Sequence, residues 1–134
     1  MSQAAVRSAL EVRLNAMAPA LATAWENVSF TPPAVTVPYQ KANVLFATPD
    51  NPEWGKFRFE QGYLQVTLLY PQNAGSLAAA ARAKAIADHF PKGLTLTHSG
   101  VNTQINKPAE IGNGVPDGDR WMLPVRIPFH AGIS

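Results

Sequence analysis

The 134-residue chain contains no cysteine, so it has no disulfide, no thiolate metal site and no cysteine nucleophile, a composition suited to a reducing cytoplasm. Charge is scarce too. Asp, Glu, Lys and Arg make up 15% of the residues, against about 25% in typical soluble domains. Eleven basic and nine acidic residues leave a formal charge of +2, and no five-residue basic run occurs. Phosphate binding needs a concentrated field, so direct nucleic-acid binding is not expected. No stretch approaches the roughly 18 apolar residues of a membrane span, and MSQAAVRSALEVRLNAM lacks the continuous apolar core of a signal peptide. The reading is a soluble protein, made in the cytoplasm, with no membrane partner.

Catalytic and cofactor constellations are missing as well. His89, His98 and His130 lie far apart, and none has metal-ligand spacing to another histidine or to a carboxylate. His89 reads as a helix C-terminal histidine favoured by the dipole. PDGDR, with Asp117 and Asp119, has the look of a calcium loop but lacks the other ligands and the closing glutamate, so it reads as a plain turn. NAGSL is half of a nucleophile elbow, and GNGVPDG has neither the lysine nor the spacing of a phosphate loop. No enzyme, metal or cofactor is expected.

What is present fits one globular domain over residues 1–134, with 46% hydrophobic residues. The 12 prolines exceed the about seven of average usage, and the loops should be stiff. Val6, Leu10, Leu14, Met17 and Leu21 recur at spacings of four, four, three and four, which predicts an amphipathic N-terminal helix ended or kinked by Pro19. From Trp25 to Pro52, five prolines predict extended loop plus one strand, about Tyr39 to Ala47. Asn51 to Gln61 reads as a strand or a hairpin arm.

In YLQVTLLY, the period of two sends Leu64, Val66, Leu68 and Tyr70 to the core. Pro71 ends that strand, Ala74 and Gly75 turn the chain, and Ser76 is placed to cap a helix with its hydroxyl. On that helix Ala79, Ala80, Ala83, Ile86, Ala87 and Phe90 share one side, mostly methyl groups, and Arg82, Lys84, Asp88 and His89 lie opposite. Pro91, Lys92 and Gly93 stop it. Two short strands around a Ser99-Gly100 turn follow. Last comes a strand in DRWMLPVRIPFH, which Pro124 and Pro128 should place at a sheet edge or bulge. This order predicts an α+β domain: a mostly antiparallel sheet, an N-terminal helix, and a second helix packed on it.

TAWENVSFTPP with PYQ downstream, then GYLQVTLLYP, ARAKAIADHFPKG and DGDRWMLPVRIPF, run through almost the whole chain. In that order they resemble the small tail-terminator, or tail-completion, proteins of tailed bacteriophages and prophages. The resemblance implies a compact α+β subunit that assembles with itself into a ring, commonly a hexamer. The ring sits at the head-proximal end of the tail tube, where it stops tube growth and meets the head-completion protein. It implies a structural virion component, assembled in the host cytoplasm, without catalysis. Another head-tail connector or minor tail protein, and a non-enzymatic α+β binding module carried in a prophage, are the alternatives.

Aromatics and arginines dominate interface energetics. They concentrate in one segment at Trp54, Phe57, Arg58 and Phe59 and, beside Asp117 and Asp119, in a second at Arg120 and Trp121. Those two segments form the candidate protein interface, the alternative being that Trp54, Phe59 and Trp121 are core residues beneath long loops.

Overall fold

The computed structural model describes residues 2–17, 21–47, 58–73 and 75–133. These form α1 (Ser2–Asn15), β1 (Ala22–Ala24), β2 (Tyr39–Phe46), β3 (Arg58–Pro71), α2 (Leu77–His89), β4 (Thr95–His98), β5 (Val101–Gln104), β6 (Glu110–Ile111), β7 (Val115–Asp117) and β8 (Arg120–Ile133). The strands make one sheet in the order β1-β2-β3-β8-β5-β4, with β6 and β7 also paired to β8. Among the described residues only the β1–β2 pair is parallel. The α+β architecture is the expected one.

β3 and β8 are opposed over 14 residues each, from Arg58 opposite Ile133 to Pro71 opposite Arg120. Successive side chains of a strand point to opposite faces. Leu64, Val66 and Leu68 therefore share a face with Ala42 and Val44 of β2 and with Leu123, Val125 and Ile127 of β8, and all of these are buried. α2 lies over β3 and β8 and adds Ala79, Ala83, Ile86 and Phe90 to the same core. Tyr70 packs against it half-buried. α1 lies over β4 and β5 and contributes Val6, Leu10 and Leu14, with Met17 just past its end.

The two helices are fastened at their C-terminal ends. Arg13 donates from Nε and Nη2 to the His89 carbonyl at 3.0 and 2.8 Å, and His89 Nε2 donates back to the Arg13 carbonyl at 2.7 Å. Each side chain thus satisfies a terminal carbonyl of the other helix.

Gly62 sits opposite Phe46 on one side and Phe129 on the other. The two phenyl rings meet edge to face, 5.7 Å between centroids, so aromatic packing replaces the missing side chain. A Cβ at Gly62 would lie 2.0 Å from the Leu45 carbonyl oxygen, which requires glycine there.

Several expectations need correction. α1 ends at Asn15, so Leu21 is not on the helix but half-buried against the core before β1; Pro19 lies outside the described residues. Ser76 is the N-cap residue, but its backbone is already helical at φ −101°, ψ −5° and its hydroxyl makes no cap bond. Its carbonyl accepts from Ala80 at 3.0 Å instead. The polar face of α2 is narrower than predicted, with Arg82 buried and Ala80 exposed. A helix whose inner face is methyl groups sits so close to the sheet that its flank is covered too. Burial lowers the Arg82 guanidinium below its ordinary pKa and raises the Tyr70 phenol above its own, each opposed by the charge of the other.

β8 is not an edge strand: it lies between β3 and β5. Proline removes a donor from one side of a strand only. The Pro124 carbonyl accepts from the Gly112 amide at 2.9 Å, so the backbone polar groups of Pro124, and by the period of two those of Pro128, face away from β3. On that side β7, β6 and β5 pair with β8 only in short stretches, and the ladder to β3 loses nothing.

Ala83 has no exposed surface, whereas the Lys84 side chain is 75% exposed. Ala83→Leu is expected to cost about 1 to 3 kcal/mol by overpacking and Lys84→Leu less than about 0.5 kcal/mol. Thermal unfolding followed by circular dichroism measures both; equal melting temperatures would refute the close approach of α2.

Candidate protein interface

The described part of the first segment singled out in the sequence, Arg58 and Phe59, lies at the opposite end of the β3–β8 ladder from the second. Arg58 and Phe59 open β3 opposite Ile133 and Gly132; their side chains, and all of Trp54 and Phe57, lie outside the described residues. Asp117, Asp119, Arg120 and Trp121 sit at the other end, where Arg120 and Trp121 oppose Pro71 and Tyr70. The full length of an extended 14-residue strand separates them, roughly 40 Å at about 3.3 Å per residue.

At the second site, the pairing of Asp117 with Arg120 closes a tight hairpin over Gly118 and Asp119. Gly118 has φ +61°, a left-handed conformation that glycine adopts without cost. Gln72 Nε2 donates to the Gly118 carbonyl at 3.0 Å and ties the turn to the end of β3. Asp117 and Asp119 are exposed, and Trp121 is half-buried against the core. The Trp121 indole lies so close to Gly114 that a Cβ there would be 2.4 Å from the ring.

Between Pro71, Pro116 and Trp121 on one hand and Gln72, Asn73, Gly75 and Ser76 on the other is an open pocket of about 350 Å³. Two large apolar side chains stand next in sequence to its lining residues: Leu77, 85% exposed, after Ser76, and Val115, 42% exposed, before Pro116. This end of the subunit combines a pocket of mixed apolar and polar lining, exposed aliphatic groups and two carboxylates.

Arg120 belongs to the subunit's interior. It is 6% exposed. Nη1 donates to the Val37 carbonyl at 2.8 Å, and Nη2 to the carbonyls of Pro33 and Ala34 at 2.8 and 3.0 Å. The guanidinium lies 4.7 Å from the centroid of the Tyr39 ring, which in turn packs with Phe30 at 5.3 Å. Arg120 therefore pins the proline-rich loop over one end of the sheet face that α1 and α2 leave uncovered, and Tyr39 and Leu69 are buried there.

The rest of that second face is a surface the sequence reading missed. Lys41, Asn43, Leu45 and Arg126 are exposed on it. Arg126 stacks 5.3 Å from the Tyr63 ring centroid and donates from Nε to Gln65 Oε1 at 3.3 Å. The strand period, once the buried set was assigned, pointed to these positions, but only the register brings them side by side. Among the described residues there is no group of three or more His, Asp or Glu able to hold a metal ion, and no helix is long and apolar enough to cross a membrane.

Arg120→Met keeps much of the side-chain volume but leaves three carbonyls without their donor. It is expected to cost about 2 kcal/mol or more, since hydrogen bonds to a charged donor contribute about 1.5 to 3 kcal/mol. Limited proteolysis should then cut within residues 31–38 far faster than in the parent chain. An unchanged melting temperature and cleavage pattern would show that the loop is held by something else.

The family model of the phage tail terminator protein matches residues 5–129, from the first turns of α1 nearly to the end of β8. A solved structure whose name states no function aligns with a TM-score of 0.82 and 29% identity, over 100% of this chain and 98% of that chain. No curated protein matches significantly. With fold, order of elements and family model in agreement over nearly its whole length, the chain belongs to the phage tail terminator family, and its role is a structural one in the phage tail.

Proposed function

We propose that copies of this chain assemble into a ring, six in number as the family resemblance implies, that caps the tail tube at its head-proximal end. The ring ends tube growth and gives the head-completion protein a surface to join. The protein works without cofactor, metal or catalysis, and it resides in the virion tail after assembly in the host cytoplasm. The observation that carries this reading is the family match over residues 5–129.

The geometry supports it. A closed ring of identical subunits requires two different, mutually complementary patches on each subunit, set at a fixed angle. The β3–β8 ladder is a stiff strut whose two ends carry residues of the two candidate segments: Arg58 and Phe59 at the start of β3, and Asp117, Asp119 and Trp121 at the hairpin. A contact of this kind buries on the order of 800 Å² per partner.

In cells producing phage without this protein, tail tubes should grow past their normal length and carry no heads. Purified protein added to tubes should form a ring at one end, visible by electron microscopy. Arg58→Glu should fold normally and lower the fraction of capped tubes about 30-fold, the equivalent of about 2 kcal/mol for one interface hot spot. Capping at parental efficiency would remove the start of β3 from the interface; normal tail length without the protein would overturn the terminator role itself.

A further inference from the structure

We infer that copies in the ring are joined edge to edge through their sheets, β4 of one copy lying parallel to β1 of the next. This rests on the ring proposed above and adds to it the strands along which two copies meet.

β1 and β4 stand at the two ends of the sheet. An end strand presents backbone donors and acceptors to any strand that fits, and proteins usually block it with lysine, proline, a charge or a bulge. β6 and β7, each paired on one side with β8, carry such guards in Glu110, Pro116 and Asp117. ATA in β1 and TLTH in β4 hold no proline, lysine or carboxylate. Among the described residues these are the two unguarded edges. They differ from each other, as a head-to-tail contact requires.

Register shows which backbone groups are free. Along an antiparallel pair, opposed residues alternate between bonding each other and pointing outward. The Ile105 amide donates to the Leu94 carbonyl at 2.8 Å, one step beyond the β4–β5 register. Leu96 with Thr103, and His98 with Val101, are therefore bonded pairs, and the N–H and C=O of Thr95 and Thr97 point away from β5. On the other side of the sheet, the Ala47 amide donates to the Gln61 carbonyl at 2.7 Å, one step beyond the β2–β3 register. Odd-numbered residues of β2 thus bond β3, and Gln40 bonds β1. In a parallel pair a residue bonds the two neighbours of the residue opposite it. Gln40 is opposite Thr23, so it engages Ala22 and Ala24 and leaves the N–H and C=O of Thr23 pointing outward.

Face and direction then fix the pairing. Thr95 and Thr97 share a face with Gln104 and Asn102, and Ala22 and Ala24 with Tyr39 and Lys41. Through the registers this is one face, the one the helices leave uncovered. When two sheets continue each other on that face, Thr95 lies opposite Ala22 and Thr97 opposite Ala24. Groups that point across from only one of two opposed residues are the parallel pattern: Thr23 donates to the Thr95 carbonyl and accepts from the Thr97 amide. An antiparallel pairing would set Thr23 opposite a threonine of the other face. Chain direction agrees independently. From β1 to β4 the sheet passes through one parallel and four antiparallel pairings, so β4 runs the same way as β1. Rotation about an axis along the strands keeps that direction from copy to copy.

Exchange of single amides, read by mass spectrometry with electron-transfer fragmentation, tests this on the parent chain free and on tail tubes. The amides of Thr23, Thr95 and Thr97 should slow at least about tenfold when rings form, while that of Leu96, already bonded to β5, should not change. Thr97→Pro removes only an outward donor, as proline on an edge strand does. It should melt as the parent does and cap tubes at least about tenfold less well, whereas Thr97→Val should cap normally. Rings in which the three amides exchange as in the free chain overturn the pairing and leave the ring intact. Slowing of Thr95 and Thr97 without Thr23 overturns β1 as the partner, and normal capping by a stably folded Thr97→Pro chain overturns the pairing as well. Should that variant fail to fold, exchange in the parent chain decides. Failure of the parent chain to form rings on tubes overturns the ring itself and the pairing with it.

Discussion

The structure depends on the antiparallel pairing of β3 with β8, 14 residues against 14. Everything else is referred to that pair. β2 and β1 extend the sheet from β3, β5 and β4 extend it from β8, and α2 lies across the seam. Because the pairing is in one register over its whole length, the apolar residues of both strands fall on one face. Leu64, Val66 and Leu68 meet Ile127, Val125 and Leu123 across the ladder. A slip of one residue would turn each set to the wrong side.

The two faces of the sheet are used differently. One is closed by the helices, whose mutual fastening through Arg13 and His89 fixes their spacing over the sheet. Arg7 and Glu26 form an ion pair, and the same carboxylate accepts from the Val44 amide at 2.6 Å. That contact caps β2 where β1 no longer accompanies it, since the β1 register ends at Lys41. Among the described residues the other face is closed only at one end, by the loop held on Arg120. On its remainder Lys41, Asn43, Leu45 and Arg126 are exposed. A subunit so built is rigid along the strands.

Much of the fold was legible in the sequence because it was written in local periods. Alternation over Leu64 to Tyr70, the alanine face from Ala79 to Phe90, and the Ser99-Gly100 turn, with φ of +51° and +78°, are patterns within a few residues. β1, β6 and β7 are two or three residues long, too short to carry a period, and exist because β2 and β8 offer them an edge. The place of β8 was misread because Pro124 and Pro128 were taken to leave the strand at an edge, without a partner on one side, whereas β5, β6 and β7 pair there in short stretches around the prolines. Arg120 resembled an interface residue because it stands between Asp119 and Trp121. Its true partners are carbonyls 83 to 87 residues earlier, which no local pattern reveals. The candidate site was legible only as composition. That Arg58 and Phe59 stand at the other end of the ladder from Arg120 and Trp121 follows from register, which the linear chain does not display.

The late position of β8 in the chain has a consequence for biogenesis. β3, β5, β6 and β7 all pair with it, yet residues 120–133 are synthesised after every one of them. Until they leave the ribosome, the apolar face of β3 has its neighbour on one side only, and β4 and β5 form an isolated hairpin, marginal in water. Non-local strand pairing of this kind is slow and leaves edges open to wrong partners. The sheet therefore cannot be completed until β8 joins β3 to β5. A nascent subunit has no completed sheet to offer another tail component until its last strand is in place.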